Sequence, residues 1–207
     1  GKTLAELGFT QEKTVAHFSV KESVLPFSRF SGVDILLGPE MKSTGEVMGG
    51  APTFGTAFAK AQLGAGQRLP VTGAAFISVN NHDKPTVVPI ARDLKELGFD
   101  LVATRGTAAY LRAHGVEAEV VFKVNEGRPH VGDGVLNGKI SLIINTPLGR
   151  ESFFDDTTVR RIAMMRGVPC ITTLTGAAAT VAAIRALRSE DLEVRALQEY
   201  HAETAPK

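Results

Sequence analysis

GAAFISVNNHDKPTVVPIARDLKELGFDLVATRGT, residues 73–107, decides the fold. It opens on a short apolar run, GAAFISV (73–79), which reads as a buried strand. Asp83 then reads as a helix N-cap, with Pro85 in the first turn. Val87, Ile90, Ala91 and Leu94 recur at i, i+3, i+4 and i+7, which places them on one helical face. Pro89 falls inside this helix and predicts a kink, because it has no N–H to reach back four residues. Gly98 ends the helix. FDLVAT (99–104) is the next strand, and TRGT turns it into another helix. Strand, helix and strand joined by short loops make a parallel pair.

The alternation continues downstream. TAAYLRAHG is a short helix closing on Gly115, and EAEVVFKV (117–124) alternates as a strand. RPHVGDGVLNGK predicts a short helix weakened by glycine, and ISLIIN (140–145) a buried strand. Val159, Ile162 and Ala163 share a helix face, and VPCITT (168–173) is a strand. Ala177, Val181, Ile184 and Leu187 mark a last long helix, and EVRALQEY reads as a final edge strand. The pattern is an α/β fold: a Rossmann-type parallel sheet flanked by helices. Such sheets bind ligands beyond the carboxyl ends of their strands. The functional residues are therefore sought in loops 78–84, 104–107, 123–128, 145–150 and 172–176.

Residues 1–64 have a different texture. They hold six of the eleven phenylalanines, six acids and six bases, and no regular alternation. SVKESVLPF reads as a strand ending at Pro26, and TFGTAFAKAQLG as a helix. About sixty residues of this kind bury little core alone, so they read as the end of a larger domain. Residues 65–72, within the Gly- and Pro-containing LGAGQRLPVTG, are the linker, and 73–207 the second domain. The chain opens on Gly1, which reads as a removed tag or a fragment of a longer protein.

Composition narrows the function. Lys+Arg 23 against Asp+Glu 22 leaves a formal net charge of +1, against a nucleic-acid-coating protein. Cys170 is the single cysteine, so an internal disulfide framework and a CxxC metal site are excluded. No apolar run approaches the roughly 20 residues that span a bilayer, and no signal peptide opens the chain. The expectation is a cytoplasmic protein with no membrane partner.

The loop chemistry is that of an anion site. Thr104 and Thr107 offer hydroxyls beside a helix start, where N–H groups lack partners; Thr107 reads equally as an N-cap. Asn145 ends an apolar strand, as turn former or ligand contact. Lys84, Lys123 and Arg150 are single bases, each read alone as solvated surface. Together these groups fall at one edge of the sheet and suit a phosphorylated small molecule. Thr172 and Thr173 face the same edge, with Thr175 expected to cap the last helix. Catalytic groups are sparse. Cys170 reads as a core residue, the histidines share no metal-ligand spacing, and there is no GxxxxGK[ST] loop.

SVKESVLPFSRFSGVDILLGPEMKSTGEVMG (19–49), AFAKAQLG (57–64), ATRGT (103–107), KVNEGRPH (123–130) and IINTPLGR (143–150) closely resemble the C-terminal end of the carbamoyl-phosphate synthase large-chain family. The resemblance covers nearly all of the chain. It implies that 1–64 are the tail of an ATP-grasp synthetase domain and 73–207 an allosteric domain of methylglyoxal synthase-like fold. It further implies a parent ligase that makes carbamoyl phosphate for arginine and pyrimidine synthesis, with ATP and Mg (or Mn) and a small glutaminase subunit. The fragment itself is then regulatory, with no catalytic residue, metal or cofactor of its own. By resemblance, UMP- and IMP-type effectors bind at Ser78, Lys84, Thr104, Thr107, Lys123, Asn145 and Arg150. Glu22 and Thr172 match part of an ornithine site, and the domain takes part in self-association. Pro147 stands where the family's nucleotide site has a threonine. A free-standing methylglyoxal synthase is the alternative, but Arg128 stands where that enzyme has its essential aspartate, with Asp133 one to two turns further on. A guanidinium takes no proton at neutral pH.

Overall fold

The computed structural model describes residues 1–11, 15–25, 45–146, 148 and 150–204. All of the GPEMKST part (38–44) of the family-like stretch, and Pro147, lie outside them. The first part of the chain forms an antiparallel hairpin of β1 (Phe18–Val24) and β2 (Gly45–Ala51), with Glu22 opposite Val47. Helix α1 (Phe54–Gly64) follows, its N-cap Thr53 accepting from the Thr56 N–H.

The second part alternates as its periodicity predicts. In order it comprises β3 (Ala74–Val79), α2 (Lys84–Glu96), β4 (Asp100–Ala103), α3 (Arg105–Ala113), β5 (Glu119–Val120) and α4 (Val131–Leu136). Then come β6 (Ile140–Thr146), α5 (Arg150–Arg166), β7 (Cys170–Ile171), α6 (Leu174–Ser189) and α7 (Leu197–Thr204). The five strands form one parallel sheet in the order β5-β4-β3-β6-β7. Chain order reverses between β3 and β6, so their carboxyl ends flank the crevice where such folds bind ligands.

The strand period of two splits the core. Phe76 and Ile143 join Val135 and Val159 on one face. Ile77, Leu142 and Ile144 join Leu94 and Ile184 on the other. Val87, Ile90, Ala91 and Leu94 are all buried, as their spacing requires. The hairpin and α1 pack on this body. A Cβ on Gly55 would lie 2.6 Å from the Ala182 carbonyl oxygen, so α1 and α6 cross in backbone contact. The Thr56 hydroxyl donates to Glu190 at 3.0 Å, and Tyr200 donates to the Gly50 carbonyl at 2.8 Å.

Several expectations are corrected. EAEVVFKV is a strand only at Glu119–Val120, because as an edge strand it finds just Val102 and Ala103 to pair with. A bridge from Phe122 to His130 and a 3-10 turn at Val124–Glu126 replace the rest. EVRALQEY is no edge strand. Its end forms α7, which Tyr200 anchors on β2. Helix α2 runs uninterrupted from Lys84 to Glu96 through Pro89, whose missing bond falls on the exposed face. Asp83 holds the N-cap position of α2 without a capping bond, since its carboxylate accepts from the Asn80 amide at 2.6 Å. Thr173, not Thr175, caps α6, accepting from the Gly176 N–H. Cys170 is only partly buried.

Candidate functional site

A cavity of about 520 Å³ opens at the carboxyl ends of β3, β4 and β6. The structure brings five of the predicted nucleotide-site residues around it: Ser78, Lys84, Thr104, Thr107 and Lys123. Thr104 is the N-cap of α3, yet its side chain makes no capping bond. Its hydroxyl instead donates to Thr107 Oγ1 at 3.2 Å, and Thr107 Oγ1 accepts from the Val79 N–H. Thr107 is therefore not a cap. It is a buried first-turn residue that ties α3 to the end of β3.

Gly106 is part of the helix rather than of a turn before it. It lies within α3, and a Cβ there would sit 3.5 Å from Lys84 Nζ. The small residue leaves the ammonium room over the first turn of α3. A cation at a helix N-terminus opposes the dipole, and the N–H groups there lack intrahelical partners. An anion placed between them satisfies both. Lys123 adds a second base at the mouth, beside Glu126, which accepts from the Lys123 backbone N–H at 2.8 Å.

Asn145 is not in the wall of this cavity but below it, 1 % exposed. Its Nδ2 faces the Ser78 carbonyl at 3.4 Å, and its Oδ1 accepts from Arg160 Nη1 at 3.0 Å. Arg150 opens α5, and its side chain lies outside the described part. Two residues escaped the sequence reading. Arg160 is fully buried and also donates to Thr157. Asn80 folds the loop before α2, donating to the Thr146 carbonyl and accepting from the His82 and Asp83 N–H groups. The NN pair ahead of Asp83 was a usable signal for Asn80, because Asn favours such local turns. Nothing in the RR pair at 160–161 distinguishes the buried arginine from a surface one.

Glu22 and Thr172 also share a cavity, of about 550 Å³, bounded by β1, α1, β7 and α6. Burial raises the Glu22 pKa above its ordinary value, while a hydrogen bond from Gln62 partly offsets this. Among the described residues no cation pairs with Glu22. Asp133 is apart from both cavities. It completes the capping box of α4, whose N-cap is His130, accepting from the His130 N–H at 3.0 Å, and pairs with Arg128 at 3.6 Å.

Residues 86–172 match the MGS-like domain family, and a five-stranded parallel sheet flanked by helices is consistent with that fold. The whole chain extends the likeness. It is similar to the C-terminal region of carbamoyl phosphate synthase large chains. It is 54% identical over 200 residues to the large chain of a Nostoc species and 56% identical over 201 residues to that of a Synechocystis species. It is 54% identical over 200 residues to that of Myxococcus xanthus. In each case 97% of this chain is covered, but only 18% or 19% of the relative. The chain thus spans about a fifth of the length of these relatives. No helix among the described residues is long and apolar enough to cross a membrane.

Proposed function

We propose that this chain is the regulatory C-terminal part of a carbamoyl phosphate synthase large chain, with residues 73–207 as the effector domain and 1–64 as the tail of the ATP-grasp domain. The cavity at the β3/β6 crevice takes a nucleoside monophosphate of UMP or IMP type. The observation that carries this reading is the position of Lys84 Nζ over the first turn of α3, with Ser78, Thr104, Thr107 and Lys123 around the same space. The phosphate sits on the α3 N-terminus between Lys84 and Lys123, and Thr104 exchanges its bond to Thr107 for one to it. Asn145 and Arg160 hold the floor.

The Glu22–Thr172 cavity takes the ammonium end of an ornithine-like ligand. Catalysis, with ATP and a divalent cation, belongs to the upstream part of the parent ligase, and a small glutaminase subunit supplies its ammonia. The products then serve arginine and pyrimidine synthesis in the cytoplasm. Self-association through the effector domain accompanies this role. The methylglyoxal synthase reading is disfavoured, because Asp133 is engaged in the capping box of α4 away from that cavity.

Calorimetric titration of UMP and IMP against the chain tests the proposal. Saturable binding that Lys123→Ala weakens, with unchanged folding, supports it. Hydrogen bonds to charged groups are worth roughly 1.5–3 kcal/mol, so the expected loss is about tenfold to a hundredfold. No heat and no thermal shift with either nucleotide at millimolar levels rejects it.

A further inference from the structure

Lys84 stands over the first turn of α3 with no acid to hold it. It opens α2, is half-buried, and pairs with no carboxylate among the described residues. The positive end of a helix repels an ammonium group, and a lysine carries its charge on a flexible four-carbon stem. These two effects alone would send the side chain out to water.

Gly106 and Tyr110 oppose them. They stand four residues apart in α3, so they are neighbours on one face of that helix. At Gly106 the face has a gap, and a Cβ there would lie 3.5 Å from Lys84 Nζ. One turn further on, the Tyr110 ring lies under the same ammonium, its centroid 6.0 Å from Nζ. The quadrupole of the ring attracts a cation at that range. The ring is itself held in place. It packs against the buried core and stacks on His114, with 4.3 Å between centroids and 23° between planes. A carboxylate in its position would also hold Lys84, but it would cancel the charge that the cavity offers to an anion. An aromatic ring holds the ammonium and leaves that charge in place.

We propose that Tyr110 is a positioning residue of the anion cavity, its ring keeping the Lys84 ammonium over the α3 N-terminus where a phosphate group binds. The inference rests on the reading of the cavity as a phosphate site. It adds a residue outside the cavity wall that sets affinity through the lysine.

The test is NMR titration of the full chain with UMP, which reads affinities into the millimolar range. Wild type, Tyr110→Leu and Tyr110→Phe are compared with a Tyr110→Phe chain whose ring is trifluorinated. Fluorination keeps the shape of the ring and drains its face of negative charge. Tyr110→Leu is expected to weaken UMP about two- to fivefold, the factor to which a partly exposed cation–π contact corresponds. Tyr110→Phe binds as wild type does, and the fluorinated ring loses as much as leucine. In the unliganded chain the Lys84 Hε resonances lie upfield of those of exposed lysines, through the ring current, in wild type but not in Tyr110→Leu. Equal UMP affinity for wild type and Tyr110→Leu overturns the Tyr110 assignment and leaves the phosphate site standing. So does wild-type affinity in the fluorinated chain, because the ring then acts by packing, or a loss in Tyr110→Phe, which assigns the effect to the hydroxyl. Unshifted Lys84 resonances in wild type overturn the assignment even where the leucine variant does not fold. A wild-type chain with shifted Lys84 resonances that binds no UMP overturns the site reading and the role of Tyr110 together.

Discussion

Arg160 donates to Asn145 across 3.0 Å in a setting where both side chains are all but inaccessible to solvent. A guanidinium only donates, so the Asn145 oxygen must face α5 and its amide nitrogen must face Ser78. One side-chain pair thereby joins α5, β6 and β3 at the crevice where the sheet reverses order. The pair thus lies against Ser78, which lines the cavity at that crevice.

Replacing Asn145 with Ala should therefore act first on stability. The variant leaves a buried guanidinium nitrogen without one of its acceptors, at a cost of about 1.5–3 kcal/mol. Urea unfolding at neutral pH measures this directly. An Asn145→Ala chain as stable as wild type would show that the floor is not organised by the pair.

Gly106→Ala separates stability from binding in the opposite sense. The added Cβ meets only Lys84 Nζ, at an ordinary 3.5 Å, and Gly106 has no left-handed φ. Alanine in place of a helical glycine stabilises by roughly 0.4–1 kcal/mol. The methyl group occupies the room above the first turn where the phosphate is placed. Thermal unfolding should shift up slightly while nucleotide affinity falls. A variant that binds nucleotide as well as wild type places the anion elsewhere.

Much of this was legible in the sequence, for reasons that differ by element. The β3–α2–β4 unit was readable because Val87, Ile90, Ala91 and Leu94 follow one periodicity and all reach the core. Lys84, Thr104 and Thr107 were readable because sheet topology assigns the functional edge. The strand at 117–124 was over-read because alternation reports a half-buried face, whereas pairing depends on how many partners the neighbouring strand has left. The C-terminal helix was missed because its anchoring contacts, Tyr200 to Gly50 and His17, are long-range. Arg160 is invisible to any local pattern, since what sets it apart is burial alone.

Gly55→Val tests how the hairpin unit is attached. Any Cβ at residue 55 meets the Ala182 carbonyl at 2.6 Å, and a backbone oxygen cannot give way cheaply. Helices α1 and α6 must separate, with a cost of about 1–3 kcal/mol typical of overpacking. Limited proteolysis should then release α1 sooner than in wild type. Unchanged digestion would mean that the contact contributes little to holding residues 45–64.

The pH dependence of stability should carry the signature of Glu22. Burial disfavours its carboxylate, and the bond from Gln62 offsets this only in part, so the folded chain keeps the proton to higher pH than the unfolded chain does. In the window above the ordinary value of 4.5 the folded state binds more protons than the unfolded state. Stability from this group is therefore greatest at low pH and declines as pH rises through the folded pKa. Glu22→Gln removes the ionisation, so its stability should lack this decline and exceed that of wild type at neutral pH. An ammonium ligand binds the ionised form, and its affinity for wild type should rise with pH over the same window. Urea denaturation of both chains between pH 4 and 7, with and without ornithine, reads both slopes. Parallel pH profiles for the two chains would show that Glu22 meets no desolvation in the folded state.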